Sequence, residues 1–160
     1  MRRRAVIIIL AWLTSAVMAG GPAFAATAIA DPAVFVRQVY ARLAKGGDYS
    51  PPDDVYSARL QALWADEVRD AGGEVGRVDF LFWINGQDGR PSQVRIATQS
   101  VEGRADRRIV AVRFRNGTKR QRLQFYFERG RDAWTLDDVV SLTPGDAWTL
   151  SLILKYGWMD

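Results

Sequence analysis

Asn116-Gly117 is the dipeptide that most constrains how this chain folds. It sits between two stretches of alternating character, which is the strongest short-range signal for a β-hairpin. Upstream, over Arg108 to Arg115, Val110, Val112 and Phe114 alternate with Ala111, Arg113 and Arg115. Downstream, over Lys119 to Arg129, Leu123, Phe125 and Phe127 share one parity. A two-residue turn at Asn116-Gly117 would set Arg115 opposite Thr118 and Val110 opposite Leu123. The two apolar faces then coincide. A sheet with one apolar face must be covered on that face only. The same tripeptide, Asn116-Gly117-Thr118, matches a glycosylation acceptor pattern, but here it reads as turn chemistry.

Two further strands flank the hairpin. Ser92 to Gln99 carries Val94 and Ile96 on one face, and Ala133 to Val140 follows the turn Gly130-Arg131-Asp132. In the last strand Trp134, Leu136 and Val140 share a parity, and so does Asp138. A carboxylate on an apolar face is costly unless paired or wetted, so Asp138 stands out. The opposite face of the sheet carries Arg95, Arg113, Arg115, Arg120, Arg122 and Glu128.

Helices come first along the chain. Asp31-Pro32 is an N-cap followed by proline at N1. Phe35, Val36, Val39, Tyr40 and Leu43 then form one stripe, and Gly46-Gly47 stops the element. This predicts a helix over Pro32–Ala44. A second is predicted from about Asp53 to Asp70, with Tyr56, Leu60, Leu63, Trp64 and Val68 as its stripe. Gly76 to Arg90 is too short and too uniformly apolar to assign by period. It reads as a short helix or irregular buried segment, with a strand as the alternative. Thr143-Pro144-Gly145-Asp146 reads as a capping box for a closing helix to about Tyr156. Among the six tryptophans, Trp158 is the one expected to be exposed.

The first 25 residues read as an export leader. Arg2-Arg3-Arg4 is a positive start, Ala5 to Val17 an apolar stretch, and Ala23-Phe24-Ala25 a small-x-small cleavage site. An anchoring helix that stays attached is the alternative, although the apolar run is short of the roughly 20 residues that span a membrane. The expected organisation is a signal peptide at 1–25 and one α+β domain at 26–160, periplasmic or secreted, with no integral membrane segment after cleavage.

Charge has to be read with the leader removed. Three of the 22 Lys and Arg residues lie in it, leaving 19 against 18 acids, a net +1. That balance gives no general case for nucleic acid. There is no cysteine, hence neither a disulfide nor a thiol nucleophile. Histidine is also absent, which removes the Ser-His-Asp and Cys-His triads, His-dependent metal sites and the usual proton shuttle near neutral pH. The balance therefore moves away from catalysis, and no metal or cofactor is expected.

Helices followed by a meander give an α+β fold, with N-terminal helices on one face of a four-stranded antiparallel sheet in a cone-like, two-layer domain. At this point the residues resemble a family. Phe35-Val36-Arg37-Gln38-Val39-Tyr40, the stretch Tyr56–Leu63, Asp79-Phe80 with Gln87-Asp88, and Trp134-Thr135-Leu136-Asp137-Asp138-Val139 follow one another as in a bacterial family of exported proteins designated only as a domain of unknown function. Its members are similar to the cystatin-like, nuclear transport factor 2-like superfamily. The resemblance spans about Asp31 to Val140. It implies that fold and a periplasmic setting, and no established activity. Asp79-Phe80 is followed here by Leu81-Phe82 where the family pattern has Asp-Pro, so one acid of a two-acid site is missing.

Two sets of residues are candidates for function. Asp79, Asp88 and Asp138 would form the polar end of a pocket inside the cone, walled by Trp83, Trp134 and Tyr40. Each acid also has a structural alternative, as a helix cap, a turn residue or an ion-pair partner. Arg113, Arg115, Arg120 and Arg122 would form an interaction face for an anionic partner, against the alternative of a solvated face that discourages aggregation. The expected function is a non-catalytic domain binding an unidentified protein or small-molecule ligand, of inhibitor or immunity type for example. The alternative is a small carboxylate-dependent enzyme using Asp138 as base with Tyr40 or Tyr126 as donor. The parity of Tyr126, opposite to Phe125 and Phe127, argues against the latter.

Overall fold

The computed structural model describes residues 28–47 and 49–158. The predicted signal peptide and its cleavage site lie outside the described residues. Helix α1 (Pro32–Ala44) has the predicted bounds, and the Asp31 side chain accepts from the Val34 N–H at 2.9 Å. A single 3-10 turn at Asp53–Val55 precedes α2 (Ala58–Ala71). The sheet is an antiparallel meander, β1 (Pro91–Val101), β2 (Arg104–Asn116), β3 (Lys119–Arg129), β4 (Trp134–Thr143) and β5 (Asp146–Thr149), in that spatial order. A short helix, α3 (Leu150–Tyr156), follows. No helix among the described residues is long and apolar enough to cross a membrane.

The fold is α+β, as the sequence implies, with helices on the face bearing Val110, Val112, Leu123, Phe125 and Phe127. Ring contacts fix α1 there: Phe35 meets Phe127 at 6.2 Å, and Tyr40 meets Phe114 at 5.2 Å and Phe125 at 6.2 Å between centroids. Leu60 of α2 and Leu150, Ile153 and Leu154 of α3 join the same core. Removing one of these wholly buried side chains typically costs about 2–5 kcal/mol.

Four expectations need correction. The second helix starts at Ser57 rather than near Asp53. Tyr56 bridges Leu136 of β4, and the Ser57 N–H donates to the Leu136 carbonyl at 2.8 Å, so the backbone is held extended at Tyr56 and Ser57, between the 3-10 turn and the helix. Ser57 then caps the helix by accepting from the Leu60 N–H at 3.1 Å.

The hairpin register is the second. The loop residues are Gly117 and Thr118, with Asn116 paired to Lys119, Arg115 to Arg120 and Val112 to Leu123. The apolar faces still coincide, because pairing sums differing by two preserve facing. Gly117 has φ +57°, as the first central position of a primed turn requires. Asn116 stays in the ladder because its amide has another task. It donates to the carbonyl of Asp88 at 3.0 Å and lies so close to Gly89 that a Cβ there would sit 2.0 Å from its Oδ1.

Thirdly, the sheet has five strands rather than four. Thr143 pairs with Asp146 across Pro144-Gly145, and Gly145 has φ +75°. Proline followed by a left-handed glycine makes a tight reverse turn, so Thr143 to Asp146 turns a hairpin and caps no helix. Gly76 to Arg90 is irregular, one of the two readings that the sequence allowed. Phe82, Trp83 and Ile84 are buried within turns closed by the Leu81 N–H to the Gly86 carbonyl at 2.9 Å. Trp158 is 53% exposed.

The fourth correction bears on the site. β4 contains a β-bulge. Tyr126 pairs with Asp138 and Phe127 with Leu136, so Asp137 is the inserted residue. A bulge reverses the alternation beyond it. Trp134, Leu136, Val139 and Ser141 are buried, while Asp138 and Val140 fall on the opposite, outer face. Asp138 therefore does not share the face of Trp134 and Leu136.

Candidate functional site

The predicted cone-pocket residues do not converge. Tyr40 is buried at 2% exposure, and its hydroxyl donates to the Trp83 carbonyl at 2.6 Å. Burial raises its pKa well above the tyrosine value. Trp83 stacks on Phe125 at 4.9 Å between centroids, and its buried indole N–H has no hydrogen-bond partner among the described residues. Trp134 is buried at the far end of β4, with the guanidinium groups of Arg108 and Arg129 over its ring at 5.5 and 5.6 Å. Asp79 and Asp88 are exposed, and Asp138 is across the sheet. Of the six residues, the structure brings together only Tyr40 and Trp83, as core.

The outer face of the sheet carries two charged groups at opposite ends. At the bulge, Asp137 accepts from Ser57 Oγ at 2.7 Å, Arg59 Nε at 3.1 Å and an Arg107 terminal nitrogen at 2.9 Å. Arg59 also donates to the Asp137 carbonyl, and Arg107 reaches Glu128 at 3.0 Å. Burial pushes the Asp137 carboxyl up. The bonds from Ser57 and Arg59, the Arg59 charge and the Arg107 bond outweigh it, so the group titrates below the usual aspartate value. Asp138 is equally occupied. One of its oxygens accepts from the N–H groups of Val139 at 2.9 Å and Ser151 at 3.1 Å; the other takes the Ser151 hydroxyl and Arg59 at 3.5 Å. The Ser151 N–H is one of the first-turn donors that a helix cannot satisfy internally. The two acids thus fasten the starts of α2 and α3 to the sheet.

Beside this knot lies a hollow of about 340 Å³ lined by Val101, Ile109 and Tyr126 as well as the charged groups. The bulge places Tyr126 directly opposite Asp138, which the parity argument had missed. Burial first, and then the Asp138 charge, raise the Tyr126 hydroxyl, which donates to Gln124 at 2.8 Å. Tyr40, the other donor considered, is on the inner face. With all its acceptor positions used, Asp138 is arranged as an anchor rather than as a free base.

At the hairpin end the same face looks different. Arg95 is paired across the ladder with Arg113, Arg113 with Arg122, and Arg115 with Arg120. Like charges directly opposite each other destabilise a sheet. The ion pairs among the described residues involve Arg59, Arg69, Arg77, Arg104 and Arg107, and none of these five arginines. Among the described residues, the one hydrogen bond formed by a guanidinium of the five is from Arg115 to the Thr118 carbonyl at 3.2 Å. An open hollow of about 350 Å³ lies among them, with Gln93 at its rim. The four arginines named from sequence are therefore brought together, and Arg95 completes them. The arrangement is suited to binding several anionic oxygens, since each guanidinium presents donors in a planar fork.

Sequence reasoning missed one buried polar network. Asn85 donates to Gln121 and Asp146, both at 2.8 Å, and accepts from the Trp148 indole at 2.6 Å. Thr143 Oγ1 donates to Gln121 at 2.9 Å. Asn85 holds φ +50°, a left-handed conformation that asparagine tolerates better than most. The signal was visible as Asn85-Gly86, but it indicated a turn and not its burial. Among the described residues, no group of three or more acids converges as a metal site would require. Comparison with protein-family models, curated proteins and solved structures finds no match for this chain.

Proposed function

We propose that this chain is an exported, periplasmic binding domain that docks an acidic protein partner on the arginine-bearing end of its outer sheet face, without catalysing a reaction. The observation that carries the reading is the set of five arginines in direct cross-strand opposition, none of them in an ion pair with an acid among the described residues. The fold tolerates that repulsion, and an anionic partner would relieve it. Complementary charge of this kind raises the rate and specificity of association. The leader-like Arg2 to Ala25 supports export. The order of helices, turn segment and antiparallel meander agrees with the α+β arrangement expected from the resemblance to exported proteins of cystatin-like or nuclear transport factor 2-like fold. The absence of His and the full occupancy of Asp138 both weigh against the carboxylate-enzyme reading.

The test is calorimetric titration of the mature chain with poly-L-glutamate. Binding is expected to weaken as salt rises. Arg113→Glu combined with Arg122→Glu should lower affinity by about tenfold or more, which is at least about 1.4 kcal/mol. Equal binding by wild type and variant would overturn the reading.

A further inference from the structure

β1 borders the arginine group and is an open edge. It pairs with β2 alone, and no other strand or bridge meets it among the described residues. The opposite side of the sheet is treated differently. There the edge of β4 is covered in turn by Ile29, Tyr56 and the short β5. Natural edges are blunted by prolines, bulges and charges. In β1 such devices occupy the ends: Pro91 and the irregularity around Gln93, where φ is +52°, at one end, and a register shift at Ser100/Val101 at the other. Between them Arg95 to Ser100 runs regularly, with Arg95 its only charge.

Beneath this run is an apolar hollow of about 460 Å³ between α1 and the strand. Arg37, Ala41 and Ala44 of α1 and the half-buried Val94 and Ile96 of β1 line it. The small alanines leave room for incoming side chains. On the other face of the same strand stand Arg95 and its ladder neighbour Arg113. We infer that β1 is a strand-addition site for an extended segment of a partner protein in which apolar and acidic residues alternate. An added strand would lie about 4.8 Å from β1 and point successive side chains to opposite faces. One set enters the hollow under α1; the other reaches the arginines. β1 itself contains no Asp or Glu, so a second copy of this chain would bring another arginine and no compensating acid.

The inference rests on the arginine face being a docking surface, and adds backbone pairing and the apolar hollow to it. Its test is fluorescence polarisation of the mature chain with a labelled peptide of about eight residues alternating Val and Glu. A peptide of identical composition with the valines and glutamates in separate blocks is the comparison. The alternating peptide should bind about tenfold tighter. N-methylation of one set of alternate backbone nitrogens should abolish binding, and of the other set should leave it. Equal binding of both peptides, with Arg113→Glu weakening both, would overturn the strand-addition site while leaving the arginine surface standing. No binding of either peptide or of poly-L-glutamate would overturn both. A dimer in sedimentation that Ile96→Lys dissociates would also overturn it, by assigning the edge to a second copy.

Discussion

The two ends of the outer sheet face are built from the same residue type and differ in who supplies the counter-charge. Arg107 and Arg113 lie on one strand and one face, six residues or roughly 20 Å apart. Arg107 is held between Asp137 and Glu128, and Arg59 beside Asp137 and Asp138. Arg113 has arginines on both sides. Between the two ends, Ala97, Ala111 and Gln124 separate the groups. At the bulge, the chain uses charge to attach helices to the sheet. At the hairpin, charge attaches nothing within the described molecule. The lesson is that arginines paired with acids report architecture, whereas the arginines clustered at the hairpin tie no element to another among the described residues.

This contrast can be broken by substitution. The largest effect is expected at the paired end. Asp137→Ala removes the acceptor shared by Ser57, Arg59 and Arg107 and should cost about 2–3 kcal/mol in urea unfolding, as when one partner of a semi-buried charged network is lost. The same experiment on Arg113→Gln should show no loss, or a gain of about 0.5–1 kcal/mol from relieved cross-strand repulsion. A loss above 1 kcal/mol there would mean that the arginine cluster is structural.

A smaller effect should appear with pH. The folded pKa of Asp137 lies below its unfolded value of about 3.9. Its stabilisation is therefore complete above that unfolded value and is lost as pH falls through the folded pKa. The stability gap between wild type and Asp137→Asn should be constant from pH 7 to about pH 5 and shrink on acidification below about pH 4. A gap that shrinks above pH 5 would contradict the assignment. The smallest effect concerns salt. Screening of exposed charges should raise the unfolding midpoint of wild type by more than that of Arg113→Gln combined with Arg122→Gln.

How much of this was legible in the sequence follows from the range of the forces involved. Helix α1 was readable to the residue, because Asp31, Pro32 and the apolar stripe are local signals. The arginine group was readable too, since period-two alternation and one hairpin place it. The bulge was not. The inserted residue in β4, Asp137, meets Ser57, Arg59 and Arg107, all far away in the chain, and Val140 is apolar enough to have passed for an inner residue. The Asp138 argument failed with it; the parity of Tyr126 held, but the bulge brings Asp138 to the same outer face, directly opposite Tyr126. Thr143-Pro144-Gly145-Asp146 suits a helix cap and a reverse turn equally; what decides is that the strand after it can bury Trp148.

The most direct test is to watch the arginine side chains themselves. In 15N-labelled protein comprising residues 26–160, the Nε–Hε resonances of Arg95, Arg113, Arg115, Arg120 and Arg122 should shift together as poly-L-glutamate is added, while those of Arg59 and Arg107 stay where they are. If Arg59 and Arg107 shift instead, or all arginines shift alike, the hairpin end is no privileged surface and the account is wrong.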